Sequence, residues 1–156
     1  MSIQKHEKYQ RLIGRAKALA PTPCAVAHPC DESALRGAIE AAQMGLIRPF
    51  LVGPRARIEA LAAQCKLDLS GCELVDAPHS MGAAEIAVQL AREGKAEMLM
   101  KGSLHTDELM AAVVKRDIGL RTARRISHCF IMDVPAIDRV VVILSLIHIS
   151  EPTRPY

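Results

Sequence analysis

The segment Lys101-Gly-Ser-Leu-His-Thr106 gathers residue types that hold anions. Lys101 supplies a point charge and Gly102 lets a ligand approach the backbone. Ser103 and Thr106 supply hydroxyls ahead of a helix N-terminus, whose free N–H groups favour negative charge. The spacing is not that of a P-loop, because G-x-x-x-x-G-K-[ST] is absent. A tight turn followed by a Thr N-cap would use the same residues without any ligand. A second concentration is basic: Lys115, Arg116, Arg121, Arg124 and Arg125, with only Asp117 among them. Guanidinium groups on one connection clamp phosphate bidentately, although a charge run after a helix is also how a solvated face is written. His28, His79 and His105 each fall just after an apolar run, but H-E-x-x-H and H-x-x-H are missing, so no metal site is expected. His128 reads as a hydrogen-bonded core histidine. Cys129 as a nucleophile would need a positioned base and a lowered pKa, and the sequence supplies neither.

These residues need a scaffold, and the apolar periodicity describes one. Helical spacing runs from Ile3 to Leu19, with Tyr9, Leu12, Ile13, Ala16 and Leu19 on one side. Cys24–His28 reads as a buried strand. Asp31 caps a helix carrying Leu35, Ala38, Ile39 and Ala42 and closed by Gly45. Phe50–Val52 is a strand ending at Gly53-Pro54, and Arg55–Gln64 a helix. Glu73–Asp76 is a strand, and Ser80 caps a helix ending at Gly94. Met98–Met100 is a strand broken by Lys101-Gly102. Thr106, Asp107 and Glu108 start a helix through about Lys115, with acids first and bases last, as the dipole prefers. Ile126–Val134 and Arg139–Ile143 read as β segments. Strand and helix alternate four times at βαβ spacing, which implies an α/β fold: a mostly parallel sheet covered by helices on both faces. Ligands of such sheets bind outside the carboxyl ends of the strands, where His28–Asp31, Gly53–Arg55, Asp76–His79 and Lys101–Thr106 all lie.

Composition narrows the function class. Of 156 residues, 50% are hydrophobic and 24% charged, which suits one globular domain or a piece of a larger one and excludes a disordered chain. The richest apolar stretch, Val140–Ile149, is far shorter than the ~20 residues a bilayer crossing needs, and the first ten residues lack the apolar core of a secretory signal. Net charge is +3, with no Trp, two Phe and two Tyr, so a stacking platform for nucleic acid is not expected. Five cysteines without a C-x-x-C pair fit neither a disulfide framework nor a zinc knuckle; buried thiols in a reducing cytoplasm are expected.

The last residues depart from the pattern. Leu144–Arg154 reproduces, residue for residue, the translation of a transposase adapter used in short-read library preparation. Residues 144–156 are therefore expected to be an adapter artefact, with the native sequence leaving the frame after Ile143 in mid-domain and an apolar outer strand left at the sheet edge.

Leu99–Leu109, Gly119–Thr122 and Arg125–Pro135, together with His28–Glu32, Arg48–Pro54 and Ser80–Ala84, resemble the phosphate acetyltransferase and phosphate butyryltransferase family. The form most similar is the one found alone or fused behind an enoyl-CoA hydratase domain. The likeness covers about residues 3–143, and residues 1–143 read as the N-terminal portion of the acyltransferase domain. The resemblance implies a three-layer α/β/α sandwich, the first lobe of a two-lobe isocitrate-dehydrogenase-like fold. It also implies the reaction acyl-CoA plus phosphate to acyl phosphate plus CoA, in the cytoplasm, with coenzyme A as substrate and no redox cofactor or metal. By the same resemblance Lys101, Gly102, Ser103 and Thr106 line the cleft, Arg121 lies near a position that contacts CoA or phosphate, and Ser127 lies in a Ser-containing strand. The acid–base Asp and its neighbours belong to a C-terminal half outside this sequence, so no catalytic residue is assigned, and this chain alone is expected to be inactive. Acyl-CoA and phosphate or acyl phosphate are the expected partners, with a homo-oligomer for the complete protein. Two other readings stand beside this one: a non-catalytic CoA- or phosphate-binding α/β module, and a relative of acyl-carrier-protein:phosphate acyltransferase.

Overall fold

Alternation along each strand decides how the core divides. In the computed structural model, which describes residues 7–124, 126–134, 136–137 and 139–146, strand β1 (Thr22–Ala27) sends Cys24 and Val26 to one face and Ala25 and Ala27 to the other. Strand β2 (Ile47–Gly53) does the same with Ile47 and Leu51 against Phe50 and Val52. Both strands are buried on both faces, which is why they read as continuous apolar runs rather than alternating ones. Helices α2 (Glu32–Gln43) and α3 (Arg55–Cys65) cover the first face with Leu35, Ala38, Ile39, Ile58 and Ala62. Helices α4 (Ser80–Arg92) and α5 (Thr106–Val113) share the second face's core, contributing Ala83, Ala84, Ala87, Val88, Leu90, Leu109 and Ala112. The small side chains of α4 let its backbone approach the sheet closely.

With β3 (Glu73–Asp76) and β4 (Met98–Lys101), the parallel sheet has the order β3-β2-β1-β4. Thr22 lies opposite Ile47, Cys24 opposite Met98, and Phe50 opposite Glu73. This is the expected helix-covered parallel sheet, with β1 at its centre and β4 at an edge. Strand β2 begins earlier than the apolar run Phe50–Val52. Pro49 is tolerated inside it because the ladder with β3 starts only at Phe50.

Three expectations are corrected. The helix before β1 is α1 (Glu7–Lys17), and it buries none of its described residues; Tyr9, Leu12 and Leu19 are exposed. Its start at Ile3 lies outside the described residues. Periodicity reports that a helix is two-faced, not what covers it. Second, the cap of α4 is His79, whose Nδ1 accepts from the Gly82 N–H at 3.0 Å, rather than Ser80. Likewise α5 is capped by His105 rather than Thr106, and it ends at Val113, short of Lys115. Third, the last two β segments do not join the parallel sheet. Strand β5 (Ser127–Met132) pairs antiparallel with β6 (Val141–Leu146) as a separate two-stranded sheet, and β6 takes in Leu144, Ser145 and Leu146, opposite Cys129, His128 and Ser127. Every residue of β5 is exposed, so His128, stacked at 4.0 Å on Phe130, is not a core histidine, and Cys129 is not a buried thiol.

The chain divides into two compact units, Lys17–Arg121 and a second formed by residues 1–16 with 122–156. The parallel sheet belongs to the first. The hairpin belongs to the second, where Lys8 Nζ meets Asp133 at 3.0 Å and the Val134 carbonyl at 2.7 Å.

Candidate functional site

Strands β1 and β4 are neighbours, so the loops after them, His28–Asp31 and Gly102–His105, meet at the carboxyl edge of the sheet. His28 sits in the left-handed region, at φ 55°, where a non-glycine residue is uncommon. That turn delivers the His28 carbonyl to three donors: the Cys30 N–H at 2.9 Å, the Ser103 N–H at 2.9 Å and the Ser103 hydroxyl at 2.8 Å. The Ser103 Oγ in turn accepts from the Cys30 N–H at 3.1 Å and lies 3.2 Å from His28 Nδ1. One serine thus ties the two loops together. Gly102 makes this possible. Its N–H donates to the Ala27 carbonyl at 2.9 Å, and a Cβ at this position would fall 2.5 Å from the carbonyl oxygens of both Ala27 and His28.

The charged groups are arranged around this knot. Lys101 Nζ donates to the Gly102 carbonyl at 3.1 Å and the Leu104 carbonyl at 2.9 Å, so its charge is held over the loop. Glu108 accepts from the Ser80 hydroxyl at 2.7 Å and from the His105 N–H at 2.9 Å, which links α5 to α4 and holds its carboxyl below the usual range. Arg57 on α3 donates to the Cys30 carbonyl at 3.4 Å and forms no ion pair among the described residues. Burial, helped by Arg57, lowers the His28 pKa against the pull of Glu108 and Asp31. Burial pushes the Cys30 thiol up, the reverse of what a nucleophile needs. Farther round the edge, Asp76 accepts from the Arg55 N–H at 3.0 Å, tying the β3 loop to the start of α3. Among the described residues, no group of three or more His, Cys, Asp or Glu is placed to hold a metal ion, and no helix is long and apolar enough to cross a membrane.

No family model matches the chain. Individual proteins do. It is 62% identical over 128 residues to a phosphate acetyltransferase of Rhizobium meliloti, covering 82% of this chain and 40% of that protein. It is 43% identical over 150 residues to a phosphate acetyltransferase of Rickettsia typhi, covering 96% and 43%. A phosphate butyryltransferase of Clostridium beijerinckii is 33% identical over 135 residues, covering 86% and 45%. The chain belongs to the phosphate acetyltransferase and phosphate butyryltransferase family. It spans less than half the length of these relatives. Its α/β fold is similar to phosphotransacetylase structures from Staphylococcus aureus (TM-score 0.64, 16% identity, 85% of this chain and 49% of that one) and Streptococcus pyogenes (TM-score 0.69, 14% identity, 85% and 50%).

Of the residues singled out in this family member, Lys101 ends β4, Gly102 and Ser103 follow it in the β4–α5 loop, and Thr106 is the first residue of α5. The Ser103 hydroxyl is committed to the β1 loop. Arg121 is exposed beyond α5, after a turn that closes through the Leu120 N–H on the Val113 carbonyl at 2.8 Å. Gly119 belongs to that turn because a Cβ there would lie 2.5 Å from two carbonyl oxygens. Lys115 is paired with Glu85 at 2.5 Å, whereas Arg116, Arg121 and Arg124 form no ion pair among the described residues; Arg125 lies outside them. Ser127 opens the hairpin in the other unit. Sequence reasoning passed over Arg57 and gave His28 no role. The signals were present, a charged residue one turn into α3 and a histidine before proline at a strand end, but neither is specific without the tertiary contact.

Proposed function

We propose that the protein containing this chain transfers a short acyl group between coenzyme A and inorganic phosphate. A phosphate oxygen attacks the thioester carbonyl, the C–O bond forms as the C–S bond breaks, and the sulfur leaves as the CoA thiol after taking a proton. The carrying observation is the 62% identity to a phosphate acetyltransferase. The polar knot at the carboxyl edge of the sheet, where α/β folds bind ligands, supports it. In this reading Lys101, Gly102, Ser103 and Thr106 shape one wall of the cleft, and Arg121 meets phosphate or CoA. By the family resemblance, Ser127 is a further substrate-binding residue, in a Ser-containing strand. Arg121 is well suited to the role, since it forms no ion pair among the described residues and a free guanidinium makes bidentate contacts. The acid–base group comes from the part of the protein beyond this chain. The full enzyme is a cytoplasmic homo-oligomer with coenzyme A as substrate and without a redox cofactor, acting on acetyl or another short acyl group. A methylene more or less shifts discrimination by only ~1–3 kcal/mol. Residues 1–143 form part of the acyltransferase domain, and 144–156 come from the adapter; sequence of the source nucleic acid past the Ile143 codon tests this.

The functional test has two arms. The 156-residue chain is assayed for acetyl phosphate formation from acetyl-CoA and phosphate, with no turnover expected. Turnover comparable to a full-length relative would place the catalytic groups here. In a full-length homologue carrying the same residues, Lys101→Ala and Arg121→Ala should each lower kcat/KM by about tenfold or more, as loss of a charge-assisted contact does. Unchanged kinetics in both would put these charges on a solvated face.

A further inference from the structure

The hydrogen-bond inventory of Ser103 determines more than a loop contact. A hydroxyl has one proton and two lone pairs. The proton is spent on the His28 carbonyl at 2.8 Å, and one lone pair on the Cys30 N–H at 3.1 Å. With the proton on the nearer of its two acceptors, the His28 carbonyl, Ser103 Oγ is left to accept from His28 Nδ1–H at 3.2 Å. The imidazole is thereby held with its proton on Nδ1 and a bare lone pair on Nε2. Among the described residues Nε2 forms no hydrogen bond, and no side-chain nitrogen or oxygen is both buried and unpartnered, so Nε2 is open to solvent.

We propose that His28 Nε2 is a hydrogen-bond acceptor for a phosphate group that keeps one proton at neutral pH, with Arg57 supplying the countercharge. The charged and titratable groups facing His28 are Arg57 from α3, Glu108 from α5 and Asp31 at the start of α2, with Cys30 beside it. Both acids are occupied: Asp31 accepts from the Ala34 N–H at 2.7 Å, and Glu108 is held by Ser80 and His105. Of these groups Arg57 is the cation left to attract an anion. Its guanidinium would take the charged oxygens while the P–OH donates to Nε2, an arrangement open to a neutral histidine but closed to a protonated one. Burial favours the neutral form of the ring. Such a phosphate is the free ion, which as its dianion still keeps one proton; the terminal monoester of coenzyme A, with a second pKa of about 6, has largely lost its proton at neutral pH. The proposal rests on the acyltransferase reading for its ligands but not for its tautomer.

The test uses the 156-residue chain with 15N-labelled histidine, and long-range proton–nitrogen correlation to read each ring nitrogen. His28 is expected as the Nδ1–H form, and Ser103→Ala should move it towards the Nε2–H form. Adding inorganic phosphate, coenzyme A or dephospho-coenzyme A then identifies the source. A shift at Nε2 with inorganic phosphate supports the proposal, and a shift with coenzyme A but with neither its dephospho form nor inorganic phosphate overturns it. His28→Asn, which tolerates the left-handed backbone, should weaken that binding by about tenfold, as should Arg57→Gln. An Nε2–H tautomer in the unaltered chain, or no response of Nε2 to any of the three compounds, overturns the proposal. Absent acyl transfer in a full-length homologue carrying these residues, with an Nε2 response to phosphate, would overturn the acyltransferase reading alone.

Discussion

Around Ser103, its own N–H and hydroxyl and the N–H groups of Gly102 and Cys30 all have acceptors, and the apolar residues Ala25, Ala27 and Val26 are fully buried. Along the hairpin the reverse holds: Phe130, Ile131, Met132, Val142, Ile143 and Leu144 are all exposed, and among the described residues the two strands pair only with each other. A two-stranded sheet without a covered face is marginal by itself, whereas a parallel sheet buried on both faces draws its stability from every layer. Similar apolar strand sequences therefore carry different weight. In β1 they are core, and in β5 and β6 they are uncovered surface in the described chain.

This contrast can be broken at its tightest point first. Gly102→Ala forces a Cβ into two carbonyl oxygens and should destabilise the Lys17–Arg121 unit by about 3 kcal/mol, read from denaturant unfolding. Ser103→Ala leaves the Cys30 N–H with a weaker set of acceptors and unties the β1 and β4 loops; about 2 kcal/mol should be lost. Asp31→Ala removes the side-chain cap of α2 and should cost about 1 kcal/mol in the same measurement. In the hairpin, Phe130→Ser should change unfolding by less than about 0.5 kcal/mol while reducing aggregation, followed by light scattering. A loss above 2 kcal/mol there would mean the hairpin is core after all.

The smallest effect is that of pH. The folded state holds His28 below its ordinary value of 6.5, so unfolding takes up a proton first as pH falls. That stability is complete above pH 6.5 and declines as pH drops through the folded-state pKa. Glu108 acts in the same direction at lower pH: its stabilisation is complete above 4.5 and is lost as the carboxyl protonates. His28→Asn should flatten the upper part of the acid decline in unfolding midpoint, and Glu108→Gln the lower part. Unaltered profiles in both variants would mean that neither group titrates differently on unfolding.

Local pattern was enough for much of this protein. The order of strands and helices through α5, the Asp31 cap, the breaks at Gly45 and Gly94 (both at φ 73°) and the helix-covered parallel sheet follow from apolar spacing and turn chemistry within a few residues. Lys101–Thr106 was likewise recognisable as a loop at the ligand-binding edge, because residue types alone mark it. What needed the tertiary structure was every choice between neighbouring candidates. Ser80 and Thr106 look like better caps than His79 and His105, yet Ser80 is drawn away by Glu108, 28 residues on. Strands β5 and β6 have the apolar character of sheet interior, but hydrogen-bond pairing, not composition, decides which sheet a strand joins. The hydrogen-bond partner of the His28 ring is a serine 75 residues away. Periodicity carries information over one or two turns of chain; partners at such separations are set only when the sheet brings its strand ends together.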